Sequence, residues 1–221
     1  DAADGDPVAG HLGGDPQLPV DAPWPADPDG APMEHLLSLD LAALPRTGLD
    51  LPESGTLQFF RSPDCTHGEV RHVPDDTPTE PRTPPAALGR APGRVDVAAV
   101  VVPTLPGFAH RIVRGELDEY LDLPHIPVDH EMTGGTVHQL GGYGEGVQYE
   151  PDFAPDSSPM TVPVDGDPAT IVELPVLLAQ IDTDDESGIG WGDSGNSHWV
   201  IDREDLAARR FAKTRLIWSC F

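Results

Sequence analysis

Positive charge is what the chain has least of: 13 Lys and Arg, with Lys213 the single lysine, stand against 38 Asp and Glu, for a formal charge of −25. A surface of that sign repels phosphate backbones and anionic lipid heads, which excludes nucleic acid and membrane surfaces as partners. Cysteine is nearly as scarce. Cys65 and Cys220 lie far apart and form no Cys-x-x-Cys pair, so a disulfide scaffold is excluded and two reduced thiols are expected. No apolar run approaches the roughly 18 to 20 residues that a spanning helix requires, and no basic start followed by an apolar stretch reads as a signal peptide. The expectation is a cytoplasmic protein. Arginine used in place of lysine suggests a bacterial host with a GC-rich genome.

The chain is rich in residues that break regular structure: 26 Pro and 23 Gly in 221 residues. Proline at this density forbids long helices and removes ladder donors, so the elements must be short and mainly β. With 38% hydrophobic residues the chain can bury one good core. The expected fold is therefore a β-rich roll with a few short helices, residues 1–221 forming a single domain. Two proline-rich segments, 74–94 with six prolines and 151–168 with five, read as exposed loops. Apolar or alternating runs at 36–41, 56–60, 95–102, 171–181, 197–201 and 214–220 read as strands. Asp202 is placed to cap a helix over 203–210, and a second short helix is expected over 116–121.

A repeat organises these strands. Leu36-Leu37-Ser38-Leu39-Asp40 matches Leu178-Ala179-Gln180-Ile181-Asp182, and Glu53-Ser54-Gly55 before one strand matches Asp193-Ser194-Gly195 before another. The offsets, 142 and 140 residues, are nearly equal, which implies an internal duplication.

The same residues carry a family resemblance. Leu178 to Asp182, Asp184-Asp185-Glu186, Trp191-Gly192-Asp193-Ser194-Gly195 and Arg203-Glu204-Asp205-Leu206 resemble the C-terminal signature of the YwqG-like bacterial family, a domain of unknown function. The N-terminal half agrees through Gly13-Gly14, Pro16, Leu18-Pro19, Trp24-Pro25, Asp29-Gly30, Leu51-Pro52 and Leu57-Gln58-Phe59-Phe60, and Leu140-Gly141-Gly142-Tyr143 adds a central match. The resemblance implies a soluble, mainly β single domain and no particular activity.

Each candidate chemistry has a plainer alternative. Gly192-Asp193-Ser194-Gly195 copies the turn around a trypsin-like nucleophile, yet no segment supplies the base and its orienting Asp. The acidic turn holding Asp182, Asp184, Glu186 and Asp193 has oxygen donors at calcium-loop intervals, but its glycine falls late and no helix flanks it. Weak calcium binding at most is expected. Asp64, Cys65, His67, Glu69 and His72 gather zinc-type ligands from one stretch only, so no structural zinc is expected. Gly141-Gly142-x-Gly144-x-Gly146 precedes no helix and reads as a backbone turn rather than a phosphate loop. Trp24 and Trp191, set among Pro and Gly, are the aromatics expected to face a ligand rather than the core.

No nucleophile, base and oxyanion donor assemble, and no cofactor or metal is called for. The reading is a non-enzymatic binding module for a basic protein partner, with Trp24, Trp191, Asp182, Asp184, Glu186 and Asp193 as candidate binding residues. By charge analogy it resembles immunity proteins that neutralise cationic toxins. The alternative is a metal-dependent hydrolase using the turn at 182–193. Carboxylates gathered in one cleft would favour the enzyme, and carboxylates spread over the surface the docking module.

Overall fold

The computed structural model describes residues 7–46, 48–104, 138–147, 161–164 and 167–221. The described chain is mainly β. In order it forms β1 (Val8–Leu12), β2 (Gln17–Pro19), β3 (Glu34–Asp40), β4 (Thr56–Arg61), β5 (Gly68–Val73), β6 (Thr79–Pro81), β7 (Val95–Ala98) and β8 (Gln139–Leu140). Then come β9 (Thr161–Val164), β10 (Asp167–Glu173), β11 (Val176–Asp182), β12 (Asn196–Ile201), a short α-helix α1 (Arg203–Ala207) and β13 (Arg215–Ser219). Single 3-10 turns occupy Ala86–Leu88 and Phe211–Lys213.

Two antiparallel sheets carry the core. One has the order β5-β4-β3-β1-β7, the other β13-β12-β11-β8, and β2-β6 and β9-β10 form two-stranded ladders. The two large sheets share one pairing scheme. Leu37 pairs with Phe59 and Ser38 with Gln58 in the first, while Ala179 pairs with Trp199 and Gln180 with His198 in the second. A bulge falls between His35 and Leu37 in one ladder and between Leu177 and Ala179 in the other. On the far side, Leu12 pairs with Leu37 and Leu140 with Ala179.

The agreement extends past the ladders. Each flanking strand ends in a Gly-Gly turn, Gly13-Gly14 or Gly141-Gly142, in which all four residues have positive φ between 51° and 72°. That conformation strains any residue with a Cβ, and it turns the chain out of the strand and over the face of the sheet. Gly13 N–H donates to Leu36 O at 2.9 Å, and Gly141 N–H to Leu178 O at 3.3 Å. Four residues beyond the first glycine the chain is pinned by a side chain of the sheet: Gln58 Nε2 donates to Gln17 O at 2.9 Å, and His198 Nε2 to Glu145 O at 3.0 Å.

One hydrophobic cluster draws on both sheets, with Leu36, Leu57, Phe59, Leu178, Ile181 and Trp199 all fully buried. Phe59 and Trp199, which hold the same register position, meet edge to face at a centroid separation of 5.4 Å. Gly68 allows the close approach of β5. A Cβ there would lie 2.5 Å from the Trp199 ring and 2.7 Å from Leu216 Cβ. A buried histidine cluster sits in the first sheet. His35 Nδ1 lies 3.2 Å from Gly14 O, which can only accept, so Nε2 accepts from the Ser38 hydroxyl at 2.8 Å. Burial pushes the His35 pKa down to about 3, with the neighbouring His11 adding to the effect.

Several expected elements are revised. The strand expected over 95–102 stops at Ala98, because its partner β1 begins at Val8, the residue opposite. Residues 171–181 form two strands rather than one, because Pro175 has no N–H to continue a ladder. Residues 74–94 are mostly exposed, but they hold β6 and the buried Pro92, whose carbonyl accepts from Gly14 N. The loop expected over 151–168 holds β9 and the first residues of β10, and its earlier part lies outside the described residues. The helix expected over 116–121 also lies outside them. The one expected over 203–210 ends at Ala207 and has no side-chain cap, since the Asp202 carboxylate bonds Arg215 instead. Both thiols are free.

Candidate functional site

A cavity of about 660 Å³ opens beside β1, β3 and β8. Leu12, Leu37 and Leu39 form its floor, Leu41, Leu44, Leu49 and Leu51 come from the loop after β3, and the continuation of β7 through Ala99 to Val102 closes a side. Its size falls within the range of about 300 to 1,000 Å³ typical of small-molecule sites. Among the described residues no Asp or Glu lines it.

The polar side chains on its wall bond within the protein, although His138 Nε2 is buried without a hydrogen-bond partner. Gln139 Nε2 donates to Gly141 O at 3.1 Å and to Tyr143 O at 2.8 Å. Gln180 donates to Asp182 Oδ1 at 2.9 Å and accepts from Glu145 N at 2.8 Å, and Thr104 Oγ1 accepts from Tyr143 N. His138 Nδ1 accepts from Asp182 N at 3.2 Å, so Nε2 carries the proton and faces Asp184 Oδ2 at 3.9 Å. Neither nitrogen is free to act as a general base toward the cavity. Burial lowers the His138 pKa against the opposing pull of Asp184. Arg46 stands exposed at the rim, its guanidinium donating to Pro52 O at 3.4 Å and Glu53 O at 2.9 Å.

The residues singled out in the sequence are not brought together. Asp182 and Asp184 are half-buried, while Glu186 and Asp193 are exposed. Asp184 Oδ1 accepts from Ser187 N at 2.6 Å. Burial opposes its ionisation, but the Ser187 hydroxyl and amide together with His138 outweigh that and hold the carboxyl below its usual range. Trp24 is half-buried on a small cluster of Leu18, Met33 and Phe60, with Nε1 donating to Met33 O at 2.9 Å. Trp191 is a correction. It is fully buried and presents no face to a ligand, because Arg61 from β4 stacks 4.3 Å above its ring and Trp218 lies against it at 6.4 Å.

The other motifs resolve into local structure. Ser194 sits in an exposed turn at φ 50°, whereas His198 is buried on β12 with its Nε2 bonded to Glu145 O. Asp64 accepts from Ser62 and Thr66, with Ser62 the larger influence in lowering its pKa to about 2. Glu69 pairs with Arg71, and His72 Nε2 bonds Ser54 O. Among the described residues no three His, Cys, Asp or Glu side chains stand close enough to hold a metal ion.

A family model described as a domain of unknown function, DUF1963, matches residues 10–83 and 104–220. The chain belongs to this family. No curated protein matches it. The stretch between the two matched segments of this DUF1963 chain, 84–103, contains β7 and the Ala99 to Val102 side of the cavity. Sequence reasoning missed the cavity, although its signal was present in seven leucines between Leu36 and Leu51, more than one strand face can bury. It also missed Arg61, whose partners Glu34 and Gly190 O come from distant segments.

Proposed function

We propose that this DUF1963 domain is a non-enzymatic binding module that docks a basic protein partner in a bacterial cytoplasm, and that it is a YwqG-like member of the family. The observation that supports this reading is the distribution of charge. Among the described residues no Asp or Glu lines the cavity, and Asp15, Asp29, Asp50, Asp75, Asp76, Glu186 and Asp193 lie exposed on different loops, with Asp96 exposed on β7. Spread carboxylates steer a cationic partner from a distance, whereas an enzyme would gather them in a cleft. The shared register of the two large sheets supports a further reading, that the chain is an internal duplication whose halves are related by a twofold axis.

The test is affinity capture from the native host, followed by association rates at three ionic strengths. The Debye length falls from about 30 Å at 0.01 M salt to about 8 Å at 0.15 M, so association with the partner should slow steeply while dissociation changes little. An acidic partner, or a flat salt profile, sinks the reading. Micromolar calcium affinity by calorimetry would favour the metal-dependent hydrolase instead.

A further inference from the structure

We propose that the cavity beside β1, β3 and β8 is a binding site for a single-chain fatty acid, with the acyl tail against the leucines and the carboxylate on Arg46. The site is separate from the acidic docking surface and stands or falls independently of it. Three observations carry it. First, the walls are apolar where they are open, since Gln139, Gln180 and Thr104 spend hydrogen bonds on the protein itself and His138 does so through Nδ1, its Nε2 being buried beside Asp184. A ligand rich in polar groups would find few partners there.

Second, a large apolar surface is left in contact with water. Val100, Val101 and Val102 along the cavity side are 81%, 63% and 48% exposed, and contiguous exposed apolar residues of this kind mark binding sites on soluble proteins. Third, the charge on the wall is opposite to that of the chain. In a protein of net charge −25, the described residues that line the cavity include no carboxylate and one arginine. The Arg46 guanidinium has five N–H donors and bonds two carbonyls, Pro52 O and Glu53 O, which also fix it at the rim beside Leu51. The remaining donors suit a carboxylate, by charge-assisted bonds that an alcohol forms weakly and that an ammonium head cannot form.

The experiment uses the full chain and the fluorescent probe 11-(dansylamino)undecanoic acid, displaced by dodecanoate, dodecan-1-ol or dodecyltrimethylammonium below their micellar concentrations. Dodecanoate should displace the probe from one saturable site, and dodecyltrimethylammonium should not. Arg46→Gln, an exposed position whose loss leaves the core untouched, should weaken dodecanoate about tenfold and leave dodecan-1-ol unchanged. Ala99→Trp, which fills the cavity from its side, should weaken both. The proposal is overturned by absence of saturable binding, by equal displacement with the cationic chain, by an Arg46→Gln variant that binds dodecanoate as well as the parent, or by binding only to phosphatidylglycerol vesicles.

Discussion

Arg61 ties the first sheet to the turn of the second, and Arg61→Ala measures what that tie contributes. The guanidinium makes three contacts at once: Nε to Glu34 Oε2 at 2.8 Å, Nη1 to Gly190 O at 2.6 Å, and its face over the Trp191 ring at 4.3 Å. The ion pair is largely withdrawn from water, with 9% and 15% of the two side chains exposed. A hydrogen bond from a charged donor to a partly buried carbonyl contributes about 1.5 to 3 kcal/mol, and a desolvated cation on an aromatic face about 1 to 2. Water still reaches Glu34, so its loss of a partner adds only about 1 kcal/mol rather than the full penalty of a sealed site. Arg61→Ala should therefore cost about 3.5 to 6 kcal/mol, or roughly 7 to 24 °C in Tm for a chain of this length. Guanidinium unfolding followed by tryptophan fluorescence reads the loss directly. A double-mutant cycle with Trp191→Leu should return a coupling of about 1 to 2 kcal/mol. A cost below about 1 kcal/mol together with zero coupling would refute the argument, since it would mean that the three contacts do not form together.

Two further substitutions test the core. Gly68→Ala drives a methyl against the Trp199 ring and Leu216, and should destabilise by about 1 to 3 kcal/mol in the same unfolding assay; a neutral result would show that the sheets stand further apart than described. The buried histidines make stability fall in acid. His35 and His198 have folded pKa values of about 3 and about 4 against 6.5 unfolded, so the unfolded chain binds more protons below about pH 6.5. Each then removes up to about 1.4 kcal/mol of stability per pH unit as the pH falls through that window to the folded pKa. His35→Leu, which installs the residue that Leu177 already supplies at the same register, should flatten the pH dependence between 6 and 4, and an unchanged slope counts against the burial of His35.

The strands that were legible are those whose apolar residues form unbroken runs between turns: β3, β4, β11, β12 and β13. β1 and β8 were not, because Gly10, His11 and Gln139 interrupt any apolar pattern and their strand conformation depends on partners found far along the chain. The ends of elements were set by those partners as well. β7 stops where β1 begins, and Asp202 abandons its cap because Arg215 from β13 offers it a counter-ion. The same cause explains the site. Trp191 between two glycines looks unpacked in one dimension, and only the fold brings Arg61 over its ring. His11 and His35 carried no motif, since their partners are the backbone carbonyls of Gly13 and Gly14 and the Ser38 hydroxyl, which no ligand spacing marks.

The meeting of Phe59 with Trp199 has a consequence for the history of the chain. Two positions of identical register that touch one another lie beside the axis that would relate their halves, which is how a side chain meets its own copy in an isologous homodimer. If the halves descend from one ancestral unit, that unit already had this face as its self-complementary surface, and fusion turned an interface between two molecules into the interior of one. A half produced alone would expose Phe59 and the leucines around it, and it would be recovered as a dimer or an aggregate rather than as a folded monomer.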